Sequence, residues 1–343
     1  MRGSICTPTS FVVLLLILVL APLPSGGFAA GAKRSGGKRG ATTKKAAAGG
    51  GGGFGASSAK QPKLDPKAKR ILKEMGGNVD AAQEAHFQNA MRALRKDDPS
   101  VYEELMSARD GLPTGDAHAK LVELFWDAVA VYLPARERGT DGASMGAKMK
   151  SKVEAIAYCS TEARGAVGAA AAVLDVGCGD GAMVPHLQSA GADIGGYLGL
   201  DLSERMVDAA AAAHPKATFR QADMLSLDPR PDFDTVLLNG ASQFFADQTA
   251  LVRSATEWLR PDGRVVIAHA QGAAFVREEH RGNPAVARSC LPDPAQLRSI
   301  ADELQLEVLP AEACVPAASA LGSSHTLEGE DFYLVALQKK AES

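Results

Sequence analysis

Between residues 170 and 340, short apolar runs alternate with stretches in which apolar and polar positions mix at helical spacing. Residues 203–213 and 248–259 have the mixed pattern that is typical of helices. The apolar runs have the length and composition of buried β-strands, and they cover residues 172–176, 196–200, 217–220, 235–238 and 264–268. This alternation predicts a mostly parallel sheet with helices on both faces. Ligands would then bind at the carboxyl ends of the strands, near the point where the strand order reverses.

The chain before this region has a different pattern. Residues 65–160 show no strand-like alternation, so we predict an all-helical segment that precedes an α/β domain over residues 161–343. Asp65 and Pro66 predict a helix start, since Asp caps a first turn and Pro fits its first position. The segment also contains His86, His118 and Trp126. These side chains either pack or face solvent, or their helices cover an active site and shape its substrate pocket.

Composition narrows the class of protein. The chain has 343 residues, of which 46% are hydrophobic and 22% charged, and this excludes a fully disordered, collagen-like or multi-span membrane protein. Nine basic residues and no acid lie in residues 1–64, so the formal net charge of −3 leaves −12 on the remainder. An acidic body of this kind argues against a nucleic-acid partner. The five cysteines include no CxxC pair, so the sequence signals neither a zinc module nor a disulfide scaffold and favours a reducing compartment.

The first 27 residues have the organisation of a signal peptide. Arg2 precedes an apolar run over residues 11–20, and small residues follow at 25–27. The run is shorter than the roughly 20 apolar residues that a spanning helix needs, so we expect no stable membrane span in the mature protein. A membrane anchor is the alternative interpretation.

Residues 28–64 predict a disordered basic segment, with eight basic residues, no acid and a poly-Gly tract at 49–53. A signal peptide followed by such a stretch resembles the two-part presequences of algae with complex plastids. Those presequences often place a Phe just after the signal cleavage point, where Phe28 stands. The chain departs from that pattern because Gly-Gly precedes Phe28 and no Pro follows shortly after it. We therefore expect import into a plastid, and the alternative is a secreted or endomembrane protein with a flexible basic linker.

The strongest chemical signal is a glycine-rich turn after the first strand, with Gly177, Gly179 and Gly181 at alternate positions. Glycines here let the backbone approach a ligand, and the following helix offers free N–H groups. The spacing to Ala182 also fits the dinucleotide pattern GxGxx[GA]. Asp175 argues against that reading, because a carboxylate there would repel a pyrophosphate and can face an ammonium group.

Together with acidic residues after the next two strands, this turn resembles the first motif of class I methyltransferases that use S-adenosylmethionine. The second strand ends in Asp201-Leu202, and the third leads to Asp223-Met224. The resemblance covers residues 170–340 and implies a Rossmann-like seven-stranded sheet whose last strand, near residues 331–337, is antiparallel. It implies that Asp201 accepts hydrogen bonds from the ribose hydroxyls and that Asp223 and Met224 contact the adenine. We assign cofactor contacts to Asp175, Gly177, Gly179, Gly181, Asp201, Leu202, Asp223, Met224 and Asn239.

The candidate catalytic residues follow the fourth and fifth strands. In the family, the loop that begins at Asn239 lies beside the transferred methyl, so Asn239 can orient an acceptor, and Phe244 or Phe245 either walls the sulfonium or packs under the next helix. His269 is either a general base or a structural ring bonded to backbone. His269, Glu278, Glu279 and His280 are residue types that can bind a metal, but a solvated helix face explains those charges and we predict no metal.

The sequence thus predicts a methyltransferase that acts on an unidentified, small-molecule acceptor. The chain lacks the Asn-Pro-Pro-aromatic or Asp-Pro-Pro-aromatic tetrapeptide of enzymes that methylate amino groups of nucleic acids or protein amides. Two alternatives stay open: a non-catalytic module that binds S-adenosylmethionine, and an NAD-dependent oxidoreductase.

Overall fold

The computed structural model describes residue 89 and residues 92–107, 112–132, 147–162, 170–315 and 329–339. The signal peptide over 1–27, the basic segment over 28–64 and the helix start at Asp65 lie outside these residues. The described part before residue 170 is helical, in agreement with the sequence pattern.

A seven-stranded sheet forms the centre of the protein. Its spatial order is β3-β2-β1-β4-β5-β7-β6, and the order reverses between β1 and β4. β7 pairs antiparallel with both β5 and β6, whereas the other pairs are parallel. The strands are β1 (Val173–Val176), β2 (Leu198–Asp201), β3 (Thr218–Gln221), β4 (Phe233–Asn239), β5 (Leu259–His269), β6 (Leu306–Val308) and β7 (Tyr333–Lys339). The predicted α/β architecture with an antiparallel last strand is therefore confirmed.

The described part of the chain has eight α-helices in addition to a helical stretch over residues 92–97. They are α1 (Pro99–Ser107), α2 (Gly115–Tyr132), α3 (Ala147–Thr161), α4 (Val184–Ser189), α5 (Glu204–Ala213), α6 (Gln248–Glu257), α7 (Gly272–Gly282) and α8 (Pro294–Glu303). Local sequence explains several starts, because a capping oxygen satisfies an N–H group that has no partner within the helix. Ser203 caps α5 by accepting from the Met206 N–H, and Asp247 caps α6 by accepting from the Ala250 N–H. Asp293 forms a capping box with Gln296 at the start of α8.

Both faces of the sheet are covered, because successive side chains of a strand point to opposite faces. On β1, Leu174 and Val176 pack in one buried cluster, while Val173 packs in the other. Ile156 of α3 is fully buried in that second cluster, so α3 contributes to the core of the sheet. Arg264 of β5 fixes the end of α3 by donating hydrogen bonds to the carbonyl oxygens of Cys159 and Glu162.

The helix α2 lies across the edge of the sheet at which β2 ends. Its side chains Leu121, Phe125 and Val129 form a third buried cluster with Met206 of α5 and with Ala285 and Val286. Leu121, Phe125 and Val129 are spaced four residues apart and lie on one face of α2, and this face packs on the α/β domain. Within the described part of the chain, no helix has both the length and the apolar character to cross a membrane.

Candidate active site

A cavity of about 1130 Å³ opens at the carboxyl ends of the central strands. Residues that follow β1, β2, β3, β4 and β5 line it, and residues of α2 and α7 complete its wall. Its position is the one expected for a ligand site in an open α/β sheet. Its volume exceeds the roughly 300–1,000 Å³ that is usual for one small ligand, so it has room for two bound molecules side by side.

The glycine turn after β1 needs its glycines for different reasons. The backbone at Gly177 has φ of 73°, and a Cβ there would lie 2.7 Å from the Cβ of Ala241. Gly179 also has positive φ, but nothing lies within 4 Å of its Cβ position, which is open to the cavity. Gly181 does not line the cavity. A Cβ at this position would lie 2.7 Å from the His214 ring, so a glycine is needed here for close packing against the end of α5.

Asp175 is a buried carboxylate that faces the cavity from the end of β1. Its side chain is 1% exposed, and its Oδ2 accepts a hydrogen bond of 2.9 Å from the Tyr197 hydroxyl. Burial raises the pKa of Asp175 to about 7, the Tyr197 hydrogen bond opposes that rise, and the nearby Asp201 carboxylate adds to it. A cationic group beside Asp175 would compensate this buried charge.

Asp201 is fixed by the backbone at the end of β2. Its Oδ2 accepts from the Gly179 N–H at 2.9 Å and its Oδ1 from the Ser203 N–H at 2.8 Å. Burial raises the pKa of Asp201 to about 6; these backbone hydrogen bonds lower it, and Asp127 of α2 raises it further. Its carboxylate therefore joins the glycine turn to the end of β2 while lining the cavity.

The remaining predicted cofactor residues reach the same cavity. Leu202, Asp223, Met224 and Asn239 all line it. The Asp223 side chain accepts a hydrogen bond of 2.9 Å from the Leu225 N–H, so the turn after β3 holds this carboxylate in position. Of the predicted cofactor-contact residues, the structure thus brings together all except Gly181.

The loop after β4 contributes both a wall and a polar group. Phe244 lines the cavity and packs edge-on against Trp126 of α2, with ring centroids 5.8 Å apart. The Gln243 side chain is buried, and its Nε2 donates to the Gly240 carbonyl at 3.0 Å and to Glu279 Oε2 at 3.2 Å. Phe244 therefore faces the cavity and packs against α2, whereas the sequence had offered packing under the next helix, α6, as the alternative to a cavity wall.

His269 lines the cavity at the end of β5 in a form that holds little positive charge. Its Nδ1 accepts from the Gln271 N–H at 3.3 Å, and its ring stacks on Phe275 with centroids 5.3 Å apart. Burial, together with the charge of Lys152, lowers the pKa of His269 to about 4. The neutral ring then carries its proton on Nε2.

The structure does not bring His269, Glu278, Glu279 and His280 together as a metal site. Glu278 is exposed and pairs with Arg281, and His280 contacts the Ala287 carbonyl oxygen at 2.6 Å. Glu279 does not belong to a solvated face as predicted: it lines the cavity, and burial raises its pKa to about 7. Within the described ranges no three His, Cys, Asp or Glu side chains form a group that could hold a metal ion.

Sequence reasoning gave no role in the cavity to several polar lining residues, among them Glu279, Gln243 and Arg288. Arg288 Nη1 donates to the Pro113 carbonyl at 2.7 Å and so fixes the start of α2, and His118 of α2 lies 3.1 Å from the Val286 carbonyl. A signal for Glu279 existed, since Phe275 and Glu279 stand four residues apart and share one face of α7.

Comparison with known proteins agrees with this geometry. Residues 174–267 match the family described as a methyltransferase domain. The chain therefore contains a class I methyltransferase domain, the class that uses S-adenosylmethionine, and the predicted fold family and cofactor are confirmed.

The curated trans-aconitate 2-methyltransferase of Methylobacterium nodulans is 32% identical over 105 residues, which is 31% of this chain and 40% of that protein. The chain thus spans less than half the length of the curated relative that it matches. Two solved structures are similar to this chain at low identity. Magnesium protoporphyrin IX methyltransferase of Synechocystis, with bound S-adenosylmethionine, is 16% identical, covers 66% of this chain and all of its own, and has a TM-score of 0.43. A methyltransferase of Mesorhizobium loti is 21% identical, covers 50% of this chain and 92% of its own, and has a TM-score of 0.38.

Proposed function

We propose that this protein transfers the methyl group of S-adenosylmethionine to a small or medium-sized acceptor. One observation carries the proposal: the Asp201 carboxylate, tied by backbone hydrogen bonds to the glycine turn, faces a cavity large enough for two molecules. The trans-aconitate enzyme supports an acceptor of this size, although the likeness covers only part of that protein.

The donor side of the cavity suits the parts of S-adenosylmethionine in turn. Asp175 supplies negative charge for the ammonium group of the donor, since its buried carboxylate has a hydroxyl partner but no cation in the described contacts. Asp201 accepts from the ribose hydroxyls with its remaining lone pairs. Asp223 and Met224 receive the adenine, and Gly177, Gly179 and Leu202 form the surface between these groups.

When bound, S-adenosylmethionine supplies a methyl group on a positively charged sulfur, which is already electrophilic. The chain then has to align the acceptor and exclude water, and alignment alone can supply much of the acceleration. Asn239, Phe244 and His269 lie at the ends of β4 and β5 and form the wall suited to this task. We assign Asn239 and the neutral His269 ring to orienting the acceptor.

Calorimetry on the full chain tests the donor assignment. S-adenosylmethionine and its demethylated product, S-adenosylhomocysteine, should bind in preference to NAD. Tighter binding of NAD than of either sulfur compound would overturn the proposal. Mass spectrometry of small molecules after incubation with isotopically labelled donor then separates an enzyme from a module that only binds the donor.

We further propose that residues 1–64 direct the protein to a complex plastid. The basic, acid-free composition after an apolar run supports this, as does Phe28. A fluorescent reporter fused to residues 1–64 should accumulate in the plastid of such an alga, and Phe28→Ala should hold it earlier in the secretory route. Reporter in the medium with both versions would favour secretion instead.

A further inference from the structure

A second polar group lies in the cavity, apart from the acidic residues assigned to the donor. Glu279 of α7 lines the cavity together with Asn239 and His269, and it is half-buried, whereas its neighbour Glu278 is exposed. Partial removal of a carboxylate from water costs free energy unless hydrogen bonds or a nearby positive charge compensate it. Glu279 is not among the residues that contact the donor.

The surroundings of Glu279 hold it in place and leave acceptor atoms available. Gln243 Nε2 donates to Glu279 Oε2 and is itself held by the Gly240 carbonyl. No described residue donates a hydrogen bond to Glu279 Oε1 or to the buried Gln243 Oε1. The pair therefore presents hydrogen-bond acceptors without donors, an arrangement completed by a ligand that brings N–H or O–H groups.

We propose that Glu279 is a catalytic residue that receives the proton of an acceptor whose methylated atom is an amine nitrogen or a hydroxyl oxygen. This inference rests on the proposed methyl transfer and specifies its acceptor. The N–H or O–H bond breaks and its proton passes to the Glu279 carboxylate. The electron pair of that nitrogen or oxygen forms the new bond to the methyl carbon, and the carbon–sulfur bond breaks with its electron pair leaving on sulfur. The proton on Glu279 is then lost to water.

The alternative acceptor group is a carboxylate, which needs no base because it is already nucleophilic. Glu279 would repel a carboxylate acceptor. Gln243 has no free amide N–H to donate to it, because both N–H groups are bonded to the Gly240 carbonyl and Glu279. His269 is a weaker candidate for the base, because its Nδ1 already accepts from the Gln271 N–H. A pKa near 7 also gives Glu279 the larger proton affinity of the two, compared with about 4 for His269.

Binding of small aromatic probes tests the acceptor class without turnover. The full chain is saturated with S-adenosylhomocysteine at pH 8, and benzylamine, benzyl alcohol and benzoate, which differ in one group, are titrated by ligand-observed NMR. Benzylamine and benzyl alcohol should bind better than benzoate. Glu279→Gln should weaken the binding of benzylamine by at least about tenfold, which is the loss of affinity expected when a charge-assisted hydrogen bond is removed. Stronger binding of benzoate, or equal benzylamine binding by both proteins, would overturn the proposal.

Transfer of an isotopically labelled methyl group to the small molecules of a cell extract gives the second test. The labelled product should survive mild base, because methylated amines and ethers do, whereas a methyl ester hydrolyses. Glu279→Gln should slow transfer by about 10²–10⁴-fold while S-adenosylhomocysteine affinity stays within twofold. Glu278→Gln is the matched control and should behave as the wild type, because Glu278 is exposed and outside the cavity.

The pH dependence of transfer separates Glu279 from the other titratable groups around the cavity. These are Asp116, His118, Asp175, Cys178, Asp180, Asp201, Asp223, Asp247, His269 and Arg288. The pKa of Asp201, about 6, lies close to that of Glu279, so the profile of Glu279→Gln is needed to assign the inflection. With donor bound, its ammonium group lowers the pKa of Asp175, which removes that residue from the range near 7. The single-turnover rate should therefore fall about tenfold per pH unit below the pKa of Glu279, and Glu279→Gln should flatten the profile.

The outcomes distinguish the two proposals. A base-labile product would show that methyl transfer is correct and the acceptor class wrong. Unchanged transfer by Glu279→Gln would show that this residue is no base. If the wild type binds S-adenosylhomocysteine but transfers no label, the transfer reaction itself fails, and the benzylamine and benzoate titrations decide the acceptor class.

Discussion

The Ser203 hydroxyl donates a hydrogen bond of 2.5 Å to the Asp127 carboxylate, which joins α2 to the start of α5 across 76 residues of chain. Ser203 simultaneously accepts from the Met206 N–H, and its own N–H donates to Asp201. One serine thus connects the helical segment, the cap of α5 and the acidic residue at the end of β2. The position of α2 over the cavity is therefore coupled to the residue that we assign to the donor ribose.

Removal of this contact should loosen α2. We expect Asp127→Ala to lower the free energy of unfolding by about 1–3 kcal/mol, because a hydrogen bond to a charged group is lost in a half-buried position. Urea denaturation of the full chain measures the change. Glu103→Ala, at an exposed carboxylate of α1, is the control and should change stability by less than about 0.5 kcal/mol. Equal effects of the two substitutions would contradict a structural role for the Asp127–Ser203 bond.

Asp201 should matter for donor binding. Asp201→Ala is expected to weaken the binding of S-adenosylmethionine by about 1–3 kcal/mol, since it removes an acceptor from the ribose and leaves the Gly179 and Ser203 N–H groups without their partner. Calorimetry at pH 8 checks this, because the wild-type carboxylate is then ionised. An affinity within twofold of the wild type would remove Asp201 from the donor site.

Asp175 should make the ligand-free protein less stable as pH rises. Its folded pKa of about 7 lies above the ordinary value, so ionisation costs more in the folded chain, and the cost develops between about pH 4 and 7. Asp175→Asn should be as stable as the wild type at pH 4 and more stable at pH 8. One pKa unit is worth about 1.4 kcal/mol, so we expect a gain of a few kcal/mol.

Thermal unfolding at both pH values measures this difference, with Asp208→Asn, at an exposed acid of α5, as control. Asp175→Asn should also weaken donor binding, because the amide offers no charge to the ammonium group. A stability difference that is the same at pH 4 and pH 8 would show that Asp175 does not carry the pKa that we assign to it.

The glycine turn offers a matched pair of substitutions. Both Gly177 and Gly179 have positive φ, but only Gly177 has a neighbour, Ala241, within 4 Å of its Cβ position. Gly179→Ala should cost about 1 kcal/mol of stability through backbone strain alone. Gly177→Ala adds the contact with Ala241 and should cost clearly more, about 2–4 kcal/mol. Circular dichroism during urea denaturation compares them, and the reverse order would contradict the close approach.

His269 should not set the pH dependence of transfer. The sequence leaves His269 open as either a general base or a structural ring bonded to backbone, and burial together with Lys152 lowers its pKa to about 4. His269→Ala should therefore slow transfer less than about tenfold and leave the inflection near pH 7 in place, with donor affinity unchanged. Loss of that inflection in His269→Ala, measured by single turnover between pH 5 and 9, would return proton transfer to His269.

The sequence by itself determined β1 to β5 and the acidic residues at the strand ends, because apolar runs, period-3.6 patterns and glycine turns are local properties. It therefore predicted the sheet and placed Asp175, Asp201 and Asp223 at one edge, where the structure brings them together. The antiparallel last strand came from the family resemblance, and no local pattern predicted β6. Only the tertiary structure decided which charged residues on helices are exposed to solvent and which line the cavity. Glu278 and Glu279 are identical neighbours in sequence, yet the packing of α7 leaves Glu278 exposed and places Glu279 half-buried in the cavity beside Gln243.

The environments of His269 and Gly181 were also decided only by the tertiary structure. Lys152, 117 residues before His269, adds to the burial that lowers the pKa of that ring, and Gly181 faces His214 instead of the cavity. Burial and electrostatic environment depend on which distant segments meet, and no local pattern records that.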